Sequence, residues 1–121
     1  MSWGFDSLSI RQSKKEILMV QKYIKDNKVA VIISPCYGGG WYSWNQGITD
    51  ILFDCQLVQC ILENDEKNFL SILKEKYPSI FNTGFEELSI EWVELDKSFH
   101  IHEYDGYETI MYKEDYEWIK A

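Results

Sequence analysis

At 121 residues, with 45% apolar and 26% charged side chains, the chain has the size and composition of one folded domain with its own core, which excludes a disordered segment. The formal charge of −8 is unevenly placed: residues 84–121 hold eleven of the twenty acidic residues but only Lys97, Lys113 and Lys120 of the twelve basic ones. Such a surface keeps a small protein soluble and repels phosphate backbones, which disfavours direct DNA or RNA binding, whereas a basic groove on another protein would attract it.

No run approaches the roughly 18–20 apolar residues of a membrane helix. The start, Met1-Ser2-Trp3-Gly4-Phe5-Asp6, lacks the basic and apolar regions of a signal peptide. Three cysteines, Cys36, Cys55 and Cys60, have no CxxC spacing and suit a reducing compartment. The expectation is a single cytoplasmic α+β domain over residues 1–121, with 1–27 as an N-terminal helical addition.

Ser13-Lys14-Lys15-Glu16 reads as a capping box, and Ile17, Val20 and Ile24 follow at helical spacing with Asn27 as the stop. Val29–Ile33 is a β-branched apolar run that predicts a strand buried on both faces. Residues 34–50 have neither period. Asp54 caps a predicted helix holding Leu57, Val58, Ile61 and Leu62, and Asp65 caps another holding Phe69, Ile72 and Leu73, which stops near Pro78. Beyond it the period becomes two, through Leu88, Ile90 and Trp92, then Phe99 and Ile101, then Ile110 and Tyr112. This predicts an antiparallel meander with helices packed against it, so the fold class is α+β.

Asp105-Gly106 between Tyr104 and Tyr107 is a two-residue hairpin signal. It pairs Tyr104 with Tyr107, Glu103 with Glu108, His102 with Thr109, Ile101 with Ile110 and Phe99 with Tyr112. The core face then holds Phe99, Ile101, Ile110 and Tyr112, continued by Trp92, Ile90 and Leu88. Glu103 and Glu108 lie opposite each other on that face, where two carboxylates repel unless something compensates them. Such a pair can receive a cation or ligand hydroxyls, share a proton, or splay into water. His100 and His102, with Glu91, offer an incomplete metal set on the other face, and solvent-facing histidines are the simpler reading.

Ser34-Pro35-Cys36-Tyr37-Gly38-Gly39-Gly40-Trp41-Tyr42-Ser43-Trp44-Asn45 is the most unusual stretch. Its glycines allow close approach of a ligand to backbone amides, and its rings supply stacking surfaces. The competing reading is a tight crossing whose Trp41 and Trp44 complete the core. Neither GxGxxG nor GxxxxGK[ST] is present, and no Lys or Arg lies between Lys28 and Lys67. Cys36 has no base nearby in sequence and reads as a plain buried thiol.

Val29–Pro35 followed by Gly40-Trp41-Tyr42-Ser43-Trp44-Asn45, with Leu52-Phe53-Asp54, Ile90-Glu91-Trp92, Glu103-Tyr104-Asp105-Gly106 and Trp118-Ile119, resembles a small family of uncharacterised proteins of tailed bacteriophages and prophages. The resemblance spans about residues 28–121, and departs from the family at Cys36 and Gly39. It implies a phage accessory protein of the host cytoplasm, with a role in countering host defence.

Two functions fit the residues. One is non-enzymatic sequestration of a small nucleotide-derived ligand by Tyr37, Gly39, Gly40, Trp41, Tyr42, Trp44, Asn45, Glu103 and Tyr104. The other is an acidic inhibitor that docks on a basic, nucleic-acid-binding host effector through Glu86, Glu87, Glu91, Glu94 and their neighbours. No cofactor, metal set or nucleophile–base pair is indicated. Exposed rings would favour a homo-oligomer.

Overall fold

The computed structural model describes residues 20–45 and 47–113. Asp26 and Asn27 both adopt positive φ, 54° and 65°, the backbone of a two-residue hairpin turn that Asn and Asp tolerate well. They join β1 (Ile24–Lys25) to β2 (Lys28–Ile33), with Ile24 opposite Val29 and Lys25 opposite Lys28. The helix expected to run to Asn27 is therefore corrected: Lys22 bridges Asp54, and Ile24 is exposed rather than part of an apolar stripe. Pairing to β2 overrides the local helical spacing, and the capping box at Ser13 lies outside the described residues. Because Ile24–Lys25 belongs to the sheet, a boundary at residue 28 would cut through a hairpin.

β2 is the middle strand of a sheet ordered β1-β2-β3, with β3 spanning Ser89–Glu94. Every β2 residue from Val29 to Ile33 is buried, as the continuous apolar run predicts, because each face of the strand meets a different layer. Ala30 and Ile32 face the helices and share a core with Trp41, Ile51, Leu57, Val58 and Phe69. Val29, Val31 and Ile33 face the other way, toward Leu52, Phe53, Val93, Phe99, Ile101 and Ile110.

The helical layer comprises α1 (Asp50–Phe53), α2 (Cys55–Leu62) and α3 (Glu66–Lys76). The Asp54 carboxylate accepts the Gln56 amide at 2.9 Å and Asp65 accepts that of Asn68 at 3.1 Å, as the sequence pattern predicts. Asp54 is itself buried and also accepts from Lys76 Nζ at 2.7 Å and Tyr77 Oη at 2.6 Å. It thereby ties the start of α2 to the end of α3. Among the described residues, no helix is long and apolar enough to cross a membrane.

β4 (Phe99–Tyr104) and β5 (Tyr107–Tyr112) form a second, two-stranded antiparallel sheet in the expected register, from Phe99 opposite Tyr112 to Tyr104 opposite Tyr107. The alternating strands of the C-terminal half are thus divided between two layers. β3 pairs with β2, placing Trp92 beside Ala30 and Ile90 beside Ile32. Trp92, Ile90 and Leu88 consequently join the helix-facing core, not the core face of the hairpin that the continued alternation predicts.

Candidate functional site

The glycine–aromatic segment follows β2 directly and wraps around one side chain, Glu108 of β5. Glu108 is an acid at an inward strand position, fully buried. A buried carboxylate is costly unless hydrogen-bonded, and this segment supplies the donors. Ser34 N–H donates to Oε1 at 2.9 Å, while Trp41 N–H (2.9 Å), Ser43 N–H (2.8 Å) and the Ser43 hydroxyl (2.7 Å) donate to Oε2. The Glu108 amide donates to Ser34 O at 2.9 Å, closing the attachment in both directions. Three amides of the segment, those of Ser34, Trp41 and Ser43, are therefore held by a carboxylate of the chain itself.

This resolves the Glu103–Glu108 pair. The two residues are opposite in register, yet their carboxylates part company. Glu103 is exposed and its Oε2 accepts the Gly106 amide at 2.6 Å within the turn. Glu108 turns inward to the segment instead of splaying into water.

The expected ligand-contacting residues separate into two groups. Trp41 has 0% of its surface exposed, packs on Phe69 with ring centroids 6.1 Å apart, and donates its indole N–H to Ile51 O at 3.0 Å. That is a core position, which corrects the reading of Trp41 as a stacking surface. Gly40 is buried, and a Cβ there would press on the Ser43 hydroxyl, Trp44 and Glu108. Asn45 is buried and spends its amide on the backbone: Nδ2 donates to Trp41 O (2.8 Å) and Phe81 O (2.9 Å), and Oδ1 accepts from Phe81 N–H (2.8 Å). Gly39 lies under Phe81, and its carbonyl accepts from Thr83 Oγ1 at 2.6 Å.

The others are outside. Tyr37 is 65% and Tyr104 71% exposed, with ring centroids 6.4 Å apart and planes at 81°. Tyr107 lies 5.0 Å from Tyr37. Trp44 (50% exposed) stacks at 5.2 Å on Phe81 (46%). Gly38 and Gly39 join the two groups: the Gly38 amide donates to Asp105 O at 2.9 Å and Gly106 packs on the Gly38 backbone. Two sets of rings thus remain at least partly outside, Tyr37 with Tyr104 and Tyr107, and Trp44 with Phe81, on a locked base. Sequence reasoning missed Phe81 and Tyr107, whose inclusion depends on which distant segments meet the loop.

Acidic residues lie on the segments that carry the rings. Glu103 and Asp105 stand exposed at the hairpin tip. A single 3-10 turn, Phe85–Glu87, carries exposed Glu86 and half-buried Glu87, and the Glu87 carbonyl lies 3.9 Å from Cys36 Sγ. Cys36 is half-buried rather than the buried thiol expected; desolvation, then the negative Glu87 beside it, pushes the thiol above its ordinary range, which disfavours the thiolate. Glu91 and Glu94 are exposed farther along β3, where Glu94 is opposite Lys28.

Tyr42 borders a separate open cleft of about 390 Å³ between the α1 region and the start of β4, with Phe53, Phe99, Lys97 and His100 among its walls. β3 and β4 belong to different sheets, so Glu91 is not a ladder neighbour of His102. Among the described residues, no group of three or more His, Cys, Asp or Glu is placed to hold a metal ion. Comparison with protein-family models, curated proteins and solved structures gives no match.

Proposed function

We propose that the chain is a non-catalytic binding protein whose working surface is the ring cluster Tyr37, Tyr104, Tyr107, Trp44 and Phe81, and whose partner is a protein with a basic face. The observation that carries this reading is the juxtaposition itself. The aromatic segment and the acidic C-terminal half, separate features of the sequence, meet at the hairpin tip through the Gly38–Asp105 hydrogen bond. Exposed Tyr and Trp over a rigid backbone are the residue types that dominate binding energy at protein interfaces, and an acidic rim adds steering toward a basic partner. The phage-family resemblance supplies the setting, a bacterial host cytoplasm in which a small acidic protein blocks a nucleic-acid-binding effector.

The test is capture from bacterial extract on the immobilised protein. The reading expects a partner retained at low salt, released as ionic strength rises toward about 0.5 M, and lost by Tyr37→Ala/Tyr104→Ala and by Glu86→Lys. Equal retention by those variants contradicts it.

The cleft beside Tyr42 favours a second reading, sequestration of a small nucleotide-derived ligand. Its volume falls within the range of small-molecule sites, and it combines rings with Lys97 and His100. Thermal unfolding against cyclic nucleotides separates the two, since a ligand at about 100 times Kd adds roughly 2.7 kcal/mol.

A further inference from the structure

We infer that the side chain this surface recognises on its partner is arginine, seated against the faces of Tyr37 and Tyr104 with its guanidinium toward the carboxylates of the hairpin tip. The inference rests on the protein-binding reading and names the chemistry of the contact.

The rings and their acidic neighbours lie on residues 34–45, 81–87 and 103–108. These stretches contain no Lys or Arg, although the chain has twelve. The same stretches contribute Glu86, Glu87, Glu103 and Asp105. A cation approaching the rings therefore meets negative side chains without a competing lysine or arginine from the segments that build the surface.

The ring geometry suits a flat cation. Tyr37 and Tyr104 are nearly perpendicular at 81° and most of each ring remains in water, so a corner of two π surfaces is open. Guanidinium stacks on such faces while its in-plane N–H groups reach a carboxylate, which a lysine ammonium cannot do in one pose. The Gly106 amide donates to Glu103 Oε2 at 2.6 Å, which holds the carboxylate at the turn that carries Tyr104 and Tyr107. The carboxylate that could have offered a second charge on that strand face, Glu108, is buried with its four donors, so recognition falls to the tip.

The test uses two soluble peptides of equal charge, one with four Arg spaced by Gly-Ser and its Lys counterpart, titrated into the isotopically labelled full chain at fixed ionic strength. The arginine peptide is expected to bind about three- to tenfold more tightly than the lysine peptide and to shift the amides of Tyr37, Tyr104 and Gly106. Tyr104→Phe, which keeps a π face, retains that preference. Tyr37→Leu/Tyr104→Leu, checked for an unchanged unfolding midpoint, loses it. Equal affinity for the two peptides, no binding of either, or an unaltered preference in the Leu variant overturns the inference. Partner capture from extract that depends on Tyr37 and Tyr104, alongside indifference to arginine, would leave the protein-binding reading standing and remove only the arginine assignment.

Discussion

Glu108 and Trp41, 67 positions apart in the chain, are joined by a 2.9 Å hydrogen bond from the Trp41 amide to the Glu108 carboxylate, and both residues are fully buried. That bond links the middle of an irregular segment to the start of a β-strand. It fixes which parts of the segment turn inward and which rings are left outside.

The first prediction concerns this attachment. Glu108→Ala leaves three backbone amides and one hydroxyl without their acceptor, and each orphaned buried donor costs about 1–3 kcal/mol. The variant is expected to lose at least about 3 kcal/mol in urea unfolding. Glu108→Gln, which keeps one acceptor oxygen but turns an NH2 group toward a donor, should lose less. An Ala variant as stable as wild type would contradict the buried clasp.

The two groups of aromatic residues should behave oppositely. Trp41→Ala opens a cavity in the helix-facing core and is expected to cost about 3–5 kcal/mol. Tyr104→Ala removes a ring that is mostly in water, and should change stability by no more than about 0.5 kcal/mol. Denaturation midpoints of the two variants give the comparison directly.

Docking of the loop on the hairpin tip depends on Gly106, which has φ +85° and a backbone neighbour, Gly38, where a Cβ would sit. Gly106→Ala is strained on both counts. The account expects a loss of more than about 1 kcal/mol together with weaker hydrogen-exchange protection of the Gly38 amide. Protection equal to wild type would separate the loop from the hairpin.

Alkaline stability reports on the Asp54 tie. Desolvation first, then the hydrogen bond to Asp54, pushes the Tyr77 phenol far above its ordinary value of 10.0. A phenol that stays neutral when folded but ionises when unfolded contributes fully below pH 10, and its contribution falls as pH rises beyond that. Urea unfolding between pH 8 and 11 should therefore show a steeper decline for wild type than for Tyr77→Phe. Parallel curves would contradict the assignment.

Much of the fold is legible in local pattern because the responsible physics is local. Asp54 and Asp65 announce their helices by capping, Asp105-Gly106 sets the hairpin register, and the unbroken apolar run of β2 signals burial on both faces. The segment before β2 reads as helix because Val20 and Ile24 have the right spacing, yet Asp26-Asn27 forms a turn whose partner strand lies just beyond it. Which layer takes Trp92 depends on β3 choosing β2 over β4, a non-local preference that alternation alone leaves undetermined. At the site, the ring-rich loop and the opposed carboxylates are both visible in the sequence. That one satisfies the other was the missing step, although an acid on an apolar strand face and a glycine-rich loop full of unpaired amides are complementary signals.

The central claim, that the exposed rings form a protein-binding surface, is tested most directly by site-specific photo-crosslinking in bacterial cells. A benzophenone side chain is placed at Tyr104, at Tyr37 and, as a control, at exposed Lys74 on α3. The account predicts one discrete protein adduct shared by positions 104 and 37, absent at 74 and weakened by Glu86→Lys. No adduct at 104 and 37, or the same adducts at 74, would contradict it.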